Sequence, residues 1–256
     1  MTSLDSAIAH SDNHNHIILA SLDSMVEAAG TRNISNFSIT EHISQFEFMR
    51  KLVNFTSVHE KGRIFASFEE YNAEFSRISN TSKIKLRRGL EVDYLEDYEQ
   101  VIGKEVSKED WDILLCSVHE LPHGVDVEDN RLPADEESSL RRWNDYFQTQ
   151  EKSLRSNFLN FNVLTHPTRL GVSTPFVPGD IDEKMRHLAQ LAKERGKALE
   201  INGADLGRMS HLVEKVAKAC LFTGCKVSFG SDAHFPEEVS RNFEKAYTLC
   251  KELGDL

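Results

Sequence analysis

Histidine and carboxylate side chains recur in this sequence directly after short apolar segments. His14 and His16 stand two residues apart, and on an extended chain such side chains point to the same face, so the pair can chelate one ion. A single histidine at a strand end can instead be satisfied by a backbone carbonyl, but the recurrence of the pattern favours metal binding. The candidate ligands are His14, His16, His42, Glu91, His119, His166, Asp232 and His234.

These residue types indicate which metals are bound and how many ions there are. Imidazoles combined with a few carboxylates suit zinc, manganese or iron, whereas an oxygen-only set would indicate magnesium or calcium. The candidates exceed what one four-coordinate ion can use, so at least two divalent ions are expected. A carboxylate such as Glu91 can bridge two ions roughly 3.5–4 Å apart, the separation used in two-metal hydrolysis.

The elements that must position these residues alternate along the chain. Short apolar runs typical of strands are followed by longer segments of helical period, a pattern typical of βα units around parallel strands. In a parallel barrel the carboxyl ends of the strands converge on one rim, which would bring the distant ligands together.

The predicted strands are 36–40, 83–92, 112–118, 160–165, 197–202 and 226–231, with an earlier short one around 11–17. The predicted helices are 22–29, 68–78, 138–154, 182–195, 210–222 and 236–253. The polar segment 120–137 is rich in turn-forming residues, so we expect a long loop or lid there.

In chain order, the motifs DNHNH, ITEH, GLEVDY, SVHEL, LTHP, LEIN and GSDAH resemble the series of the PHP (polymerase and histidinol phosphatase) superfamily. Their order and spacing most resemble the histidinol-phosphatase branch. The resemblance implies a distorted seven-stranded (β/α) TIM-like barrel with a trinuclear metal centre that hydrolyses phosphate esters. By the resemblance, the first ion would be held by His14, His16, Glu91 and Asp232. The second would be held by Glu91, His119 and His166, and the third by His42 and His234.

The segment after His16 departs from the family pattern. The family usually supplies a further His or Asp five or six residues after the HxH pair, where this sequence has Ser21 and Leu22. Asp23 is either a substitute ligand or a cap of the following helix. The departure leaves the third metal site in question. It also keeps open a metal-stabilised regulatory module that has lost catalysis.

The chemistry implied by the resemblance is hydrolysis of a small phosphate monoester by attack of a metal-bridging hydroxide on phosphorus. Bound ions lower the pKa of such a water towards about 7 and neutralise phosphoryl oxygens. Arg169 and Arg208 follow strand ends and are candidates for binding the phosphate, because a guanidinium can donate two hydrogen bonds to phosphate oxygens. The leaving group could be protonated by Asp232, by His234 or by a metal-bound water.

Composition restricts the partners. The 256-residue chain is 39% hydrophobic and carries a formal charge of −11. This negative charge disfavours polynucleotide binding, so the alternative enzyme is a phosphodiesterase acting on small nucleotides.

The sequence has no apolar stretch of about 20 residues and no signal-like start, so we expect no membrane contact and a cytoplasmic protein. The four cysteines lack CxxC spacing and are expected to be buried thiols. One hydrolase domain over residues 1–256 is expected, with no indication of oligomeric state.

Overall fold

The computed structural model describes residues 10–56, 62–131 and 135–254. Seven parallel strands form one sheet in the order β1, β2, β3, β4, β7, β8, β9. The strands of this sheet are β1 (Ser11–Asp12), β2 (Asn36–His42), β3 (Lys85–Asp93), β4 (Ile113–Ser117), β7 (Val163–Leu164), β8 (Ala198–Asn202) and β9 (Lys226–Gly230).

The sheet curves until its first and last strands meet. The amide of Asn13 donates to the carbonyl of Phe229 at 2.9 Å, and a parallel bridge joins Asn15 to Ala233. The strands therefore form a nearly closed barrel, and the predicted barrel class is confirmed. Because all the strands run in one direction, their carboxyl ends share one rim.

Helices cover the outside of the barrel. They are α1 (Leu22–Thr31), α2 (Glu47–Leu52), α3 (Phe68–Ser79), α4 (Glu99–Val106), α5 (Glu136–Arg155), α6 (Ile181–Glu194), α7 (Gly203–Arg208), α8 (Ser210–Thr223) and α9 (Phe243–Glu252). Several begin where a side chain accepts a hydrogen bond from a backbone amide of the first turn, as Ser67 does for α3 and Asp135 for α5. Helix α8 ends at Gly224, whose left-handed backbone (φ 70°) stops the helix. Within the described ranges, no helix combines the length and the apolar character needed to cross a bilayer.

The structure differs from the predicted elements in several places. The predicted helix 236–253 is wrong as one element, because Ser240 (φ 55°) and Asn242 (φ 60°) adopt left-handed conformations that separate a short turn from α9. The predicted loop 120–137 contains an antiparallel hairpin, β5 (Glu120–Leu121) with β6 (Val125–Asp126), and its residues 132–134 lie outside the described ranges. The predicted strand 160–165 is reduced to β7, and the short helices α2, α4 and α7 were not predicted.

The interior of the molecule is mainly one apolar cluster between the barrel and its helices. Strand side chains such as Phe37, Ile39 and Leu90 are fully buried against helix residues such as Met25 and Tyr71. The four cysteines are all buried, as predicted. Close packing of this kind keeps the strand ends rigid, so side chains on the carboxyl rim are held in defined positions.

Candidate metal centre

All the predicted ligands lie together at the carboxyl rim of the barrel. β2 ends at His42, β3 carries Glu91, and the remaining ligands lie in the segments that follow strands β1, β4, β7 and β9. Three groups have ligand atoms that all lie within 4.8 Å of one another, as coordination of one ion requires. These groups are His14 with His16 and Glu91, His42 with Glu91 and His119, and His16 with His42 and His234.

Glu91 lies at the centre of the cluster, and its two oxygens face different histidines. Oε2 is 2.8 Å from Nδ1 of His42 and 3.4 Å from Nε2 of His14. Oε1 is 2.9 Å from Nε2 of His166 and 3.6 Å from Nε2 of His119. One carboxylate thus separates two sets of imidazoles, which is the arrangement needed to bridge two adjacent cations.

Asp232 and His234 approach the cluster from the end of β9. Oδ1 of Asp232 is 3.5 Å from Nε2 of His16 and 3.8 Å from Nε2 of His14, which suits the ion predicted for the HxH pair. Nε2 of His234 lies 3.5 Å from Nε2 of His42. His42 faces Oε2 of Glu91 with its other nitrogen, so this imidazole lies between Glu91 and His234.

Buried carboxylates behind the imidazoles fix the orientation of the rings. Glu200 accepts a hydrogen bond from Nδ1 of His14 at 2.8 Å, and Asp93 is 2.5 Å from Nδ1 of His119. Gly230 permits the first contact, because a Cβ at this position would overlap both His14 and Glu200. A histidine that donates one ring nitrogen to a carboxylate presents the other as a lone pair, which is the usual arrangement of metal-ligating histidines.

A similar carboxylate supports His16. Oε1 of Glu41 is 3.4 Å from Nδ1 of His16, and Oε2 of the same side chain accepts a hydrogen bond from the amide of Ile17 at 2.9 Å. Glu41, Asp93 and Glu200 all occur in the predicted motifs, but sequence reasoning gave them no role. A signal was available for each of them, because each is an acid within two residues of the carboxyl end of a predicted strand.

The acids and imidazoles of the cluster strongly shift one another's pKa values. Burial by itself would raise the pKa of Glu91, but neighbouring imidazoles, chiefly His14, hold it well below its usual range. Burial by itself would lower the pKa of His14, yet nearby carboxylates, chiefly Glu200, raise it well above its usual range. Asp93 and Glu91 likewise outweigh burial and raise the pKa of His119 to about 9. Glu91 therefore stays ionised, and its negative charge favours positive charge around it.

The residues present fit divalent metal ions. Nε2 of His14 and Nε2 of His16 are buried atoms that have no hydrogen-bond partner in the described part of the chain, and Oε2 of Glu91 lies 3.4 and 3.5 Å from them. Buried donors and acceptors rarely stay unsatisfied, and these three point towards one another. Arg169 is the buried cation beside the cluster, and the buried acids around the cluster are more numerous. They are Glu41, Glu91, Asp93, Glu200, Asp205 and Asp232.

Arg169 and Arg208 both line a cavity of about 430 Å³ that opens beside the ligand cluster. Arg169 is buried, with Nη2 2.5 Å from Asp232, Nη1 2.8 Å from Glu128 and Nε 2.7 Å from Asp205. The side chain of Arg208 is half exposed and lies 3.8 Å from Glu128. Asp205 and Glu128 were not among the predicted residues, because they lie on the unpredicted helix α7 and after the hairpin.

The segment after His16 supplies no ligand from Ser21 or Asp23. The Ser21 side chain accepts a hydrogen bond from the amide of Ser24 and caps α1. Asp23 lies in the first turn of that helix and pairs with Arg77 on the surface, 2.7 Å away. Asp23 is therefore neither a substitute ligand nor the cap residue.

Comparison with known sequences identifies the family. The sequence pattern of the PHP domain matches residues 9–204 of this chain, which is more than half of its length. The chain belongs to the PHP domain family. The resemblance inferred from the motifs is confirmed, and the ligand cluster occupies the carboxyl rim of a PHP-type barrel.

Individual relatives agree with this assignment. The chain is 27% identical to a probable histidinol-phosphatase from Deinococcus radiodurans in an alignment of 192 residues that covers 72% of each protein. Its fold matches that of a histidinol phosphate phosphatase from Lactococcus lactis, solved with zinc, L-histidinol and phosphate, with a TM-score of 0.78 and 20% identity. That match covers 97% of this chain and 95% of the other. A chain in an archaeal ribonuclease P complex solved with mature tRNA matches with a TM-score of 0.55 and 14% identity, over 95% of this chain and 82% of that one. These two structural likenesses establish the fold.

Proposed function

We propose that this protein is a metal-dependent phosphatase of the histidinol-phosphatase type, which hydrolyses a small phosphate monoester. The observation that carries the proposal is the Glu91 carboxylate, whose two oxygens face separate sets of imidazoles. Membership of the PHP family and the similarity to two histidinol phosphatases support the same reaction class.

The residues of the cluster would hold two or three divalent ions of zinc, manganese or iron. His14, His16, Glu91 and Asp232 surround the first position, and Glu91, His119 and His166 surround the second. His42 and His234 would contribute to a third position, where no ligand comes from the segment after His16. When bound, such ions supply a water of lowered pKa and positive charge for the phosphoryl oxygens.

Arg169 and Arg208 would bind the phosphate from the cavity side. Arg169 already lies next to the ligand cluster through its contact with Asp232, and its buried position keeps its guanidinium poorly hydrated. A planar guanidinium in such a place favours a bidentate interaction with two phosphoryl oxygens. Arg208, on the open side of the cavity, can swing towards a bound anion because its side chain is half exposed.

The acids on the cavity wall favour a cationic alcohol as the leaving group. Asp126 and Glu128 both line the cavity, and Glu128 is paired with Arg169 and Arg208. A phosphate ester whose alcohol carries an amine, such as histidinol phosphate, would place positive charge near Asp126 and its phosphate near the arginines. A nucleotide diester offers no such cation, which is why we place the diesterase alternative second.

His234 is better suited than Asp232 to protonate the leaving alcohol. The adjacent Arg169 outweighs the effect of burial and holds the pKa of Asp232 well below its usual range, so this carboxylate has no proton to give near neutral pH. His234 lines the same cavity, and its side chain is partly exposed. When the third metal position is empty, an imidazole in that place can hold a proton and deliver it to the departing oxygen.

The direct test is a substrate panel on metal-reconstituted protein. Histidinol phosphate, an aryl phosphate and a small nucleotide diester would be compared after loading with zinc, manganese or iron. We expect both monoesters to be hydrolysed, with histidinol phosphate fastest, and the diester to be left intact. His119→Ala should lose bound metal and turnover together, whereas the matched control His211→Ala, on the surface of α8, should retain both.

Three results would contradict the proposal. They are full turnover by metal-stripped protein, hydrolysis of the diester alone, and metal binding without turnover of any phosphate ester. The last result would favour the regulatory module that lacks catalysis.

A further inference from the structure

The backbone of Asp232 adopts a conformation that side chains other than glycine rarely take. Its φ is 55°, in the left-handed region, and it directly follows β9. Arg241 donates from Nε to the carbonyl of Ser231 at 2.7 Å and from Nη2 to the carbonyl of Asp232 itself. The two carbonyls on either side of this unusual conformation are therefore held by one guanidinium.

Glu238 extends the same restraint to His234. Its Oε1 accepts a hydrogen bond from Nη1 of Arg241 at 2.9 Å. Its Oε2 accepts from the amides of His234 at 2.8 Å and Phe235 at 3.2 Å. One ion pair thus contacts the backbone from Ser231 to Phe235, the segment that carries two of the candidate metal ligands.

The break in the predicted helix 236–253 is what brings Arg241 to this place. Ser240 and Asn242, the left-handed residues on either side of Arg241, are themselves anchored. The amide of Ser240 donates to the buried Asp12 at 3.0 Å, and the side chain of Asn242 donates to the carbonyl of Gly203 at 2.7 Å. Two residues in strained left-handed conformations therefore turn the chain so that Arg241 faces the end of β9.

We infer that Glu238 and Arg241 form a positioning pair that fixes Asp232 and His234 for metal binding. The inference rests on the proposed metal centre. Arg241 donates to two backbone carbonyls, whereas the guanidinium of Arg169 contacts the side chains of acids, so Arg241 restrains the backbone in a way that Arg169 does not. Groups that orient metal ligands typically contribute about 10- to 100-fold to metal affinity.

The test compares metal binding by Arg241→Gln with that of Arg77→Gln, a control that removes a surface ion pair with Asp23. Metal content would be measured by elemental analysis, and affinity by competition with a chelator, using zinc and manganese on the full chain. We expect Arg241→Gln to lose affinity by about 10- to 100-fold for the ions that need Asp232 and His234. The ion held by Glu91, His119 and His166 should remain, and the control should match the wild type.

Glu238→Gln and Arg241→Lys keep the inference testable if Arg241→Gln does not fold. Each removes only part of the network, because a lysine pairs with Glu238 but has no planar fork to hold both carbonyls. We expect metal affinities between those of the wild type and Arg241→Gln. The metal-free variants should have similar melting temperatures, whereas their metal affinities should differ.

Two results would overturn the inference. One is metal affinity in all three variants equal to that of the wild type. The other is an equal loss of every ion in step with a lower melting temperature, which would indicate a merely structural role. Failure of the proposed function has a different signature, since the wild-type protein would then bind no divalent ions or would bind them without hydrolysing phosphate monoesters.

Discussion

The histidine side and the arginine side of the candidate site are built differently. On the histidine side, formed by His14, His16, His42, His119 and His166, the imidazoles converge on the central Glu91, and buried carboxylates hold several of them from behind. On the arginine side, formed by Arg169 and Arg208, one guanidinium is fixed by three acids and the other is half exposed. The contrast suggests that the histidine side keeps resident cations in place, whereas the arginine side binds an anion that is exchanged at every turnover.

Removing the shared carboxylate should have the largest effect. Glu91→Gln leaves both sets of imidazoles without their common anion, so we expect loss of bound metal and a decrease in turnover on the order of 1,000-fold or more. Elemental analysis and phosphatase assays on the same preparation check this. Retention of two ions per chain by this variant would show that the two sets of histidines do not depend on Glu91.

Changing the arginine side should separate substrate binding from metal binding. Arg169→Lys keeps the positive charge between Asp205 and Asp232 but removes the planar fork, so kcat/KM should fall on the order of 100-fold with metal content unchanged. Arg169→Ala should also lower stability, by roughly 3–5 kcal/mol, because it leaves Asp205 buried without a countercharge. Steady-state kinetics and elemental analysis distinguish these outcomes. An equal loss of metal and activity in Arg169→Lys would remove the distinction between the two sides.

Asp205 should act on catalysis through Arg169. Oδ1 of Asp205 lies 2.7 Å from Nε of Arg169, so Asp205→Asn removes a buried countercharge and should raise KM or the inhibition constant of inorganic phosphate by about tenfold or more. Metal content should stay the same, and Asp205→Glu should recover part of the loss. A phosphate inhibition constant equal to that of the wild type would show that Asp205 does not orient Arg169.

Metal binding on the histidine side should depend on pH. In the metal-free protein, Asp93 and Glu91 outweigh burial and raise the pKa of His119 from 6.5 to about 9. The ion held by Glu91, His119 and His166 must displace this proton. The affinity of the protein for that ion should therefore increase by about tenfold per pH unit as pH rises towards 9.

The stability of the metal-free protein should change in the opposite direction. The contribution from protonated His119 is complete below pH 6.5 and is lost as pH rises through about 9. Calorimetric metal titrations and thermal unfolding across this range test both signs. A metal affinity independent of pH in the wild type would contradict this assignment, as would an undiminished change of thermal stability with pH in metal-free His119→Ala.

Arg208 should show the smallest effect. Its half-exposed side chain makes one long contact with Glu128, and ion pairs of this kind contribute little. We expect Arg208→Ala to raise KM by about two- to fivefold while kcat and metal content stay the same. A loss as large as that of Arg169→Lys would show that Arg208 closes tightly on the phosphate.

The sequence predicts the histidine side better than the arginine side. A polar residue at the end of an apolar strand is a local pattern, and parallel strands bring such ends to one rim, so His42, Glu91 and Asp232 could be identified without coordinates. The carboxylates behind the imidazoles are harder to assign, because Glu200 meets His14 across 186 positions of sequence. No local pattern indicates which acid supports which ring.

The remaining differences have similar physical origins. Arg169 was a candidate from its position after His166, but its burial depends on Glu128 and Asp205, which come from segments whose structure was not predicted. The interruption before α9 depends on Asp12 and Gly203, which accept hydrogen bonds from distant parts of the chain. Tertiary contacts of this kind override the helical period that the sequence of 236–253 shows.

Anomalous diffraction from crystals grown with manganese or zinc tests the central claim most directly. The account predicts peaks on both sides of Glu91, separated by roughly 3.5–4 Å, with one carboxylate oxygen facing each ion. A single peak that involves only one set of histidines, or peaks too far apart to share Glu91, would contradict it.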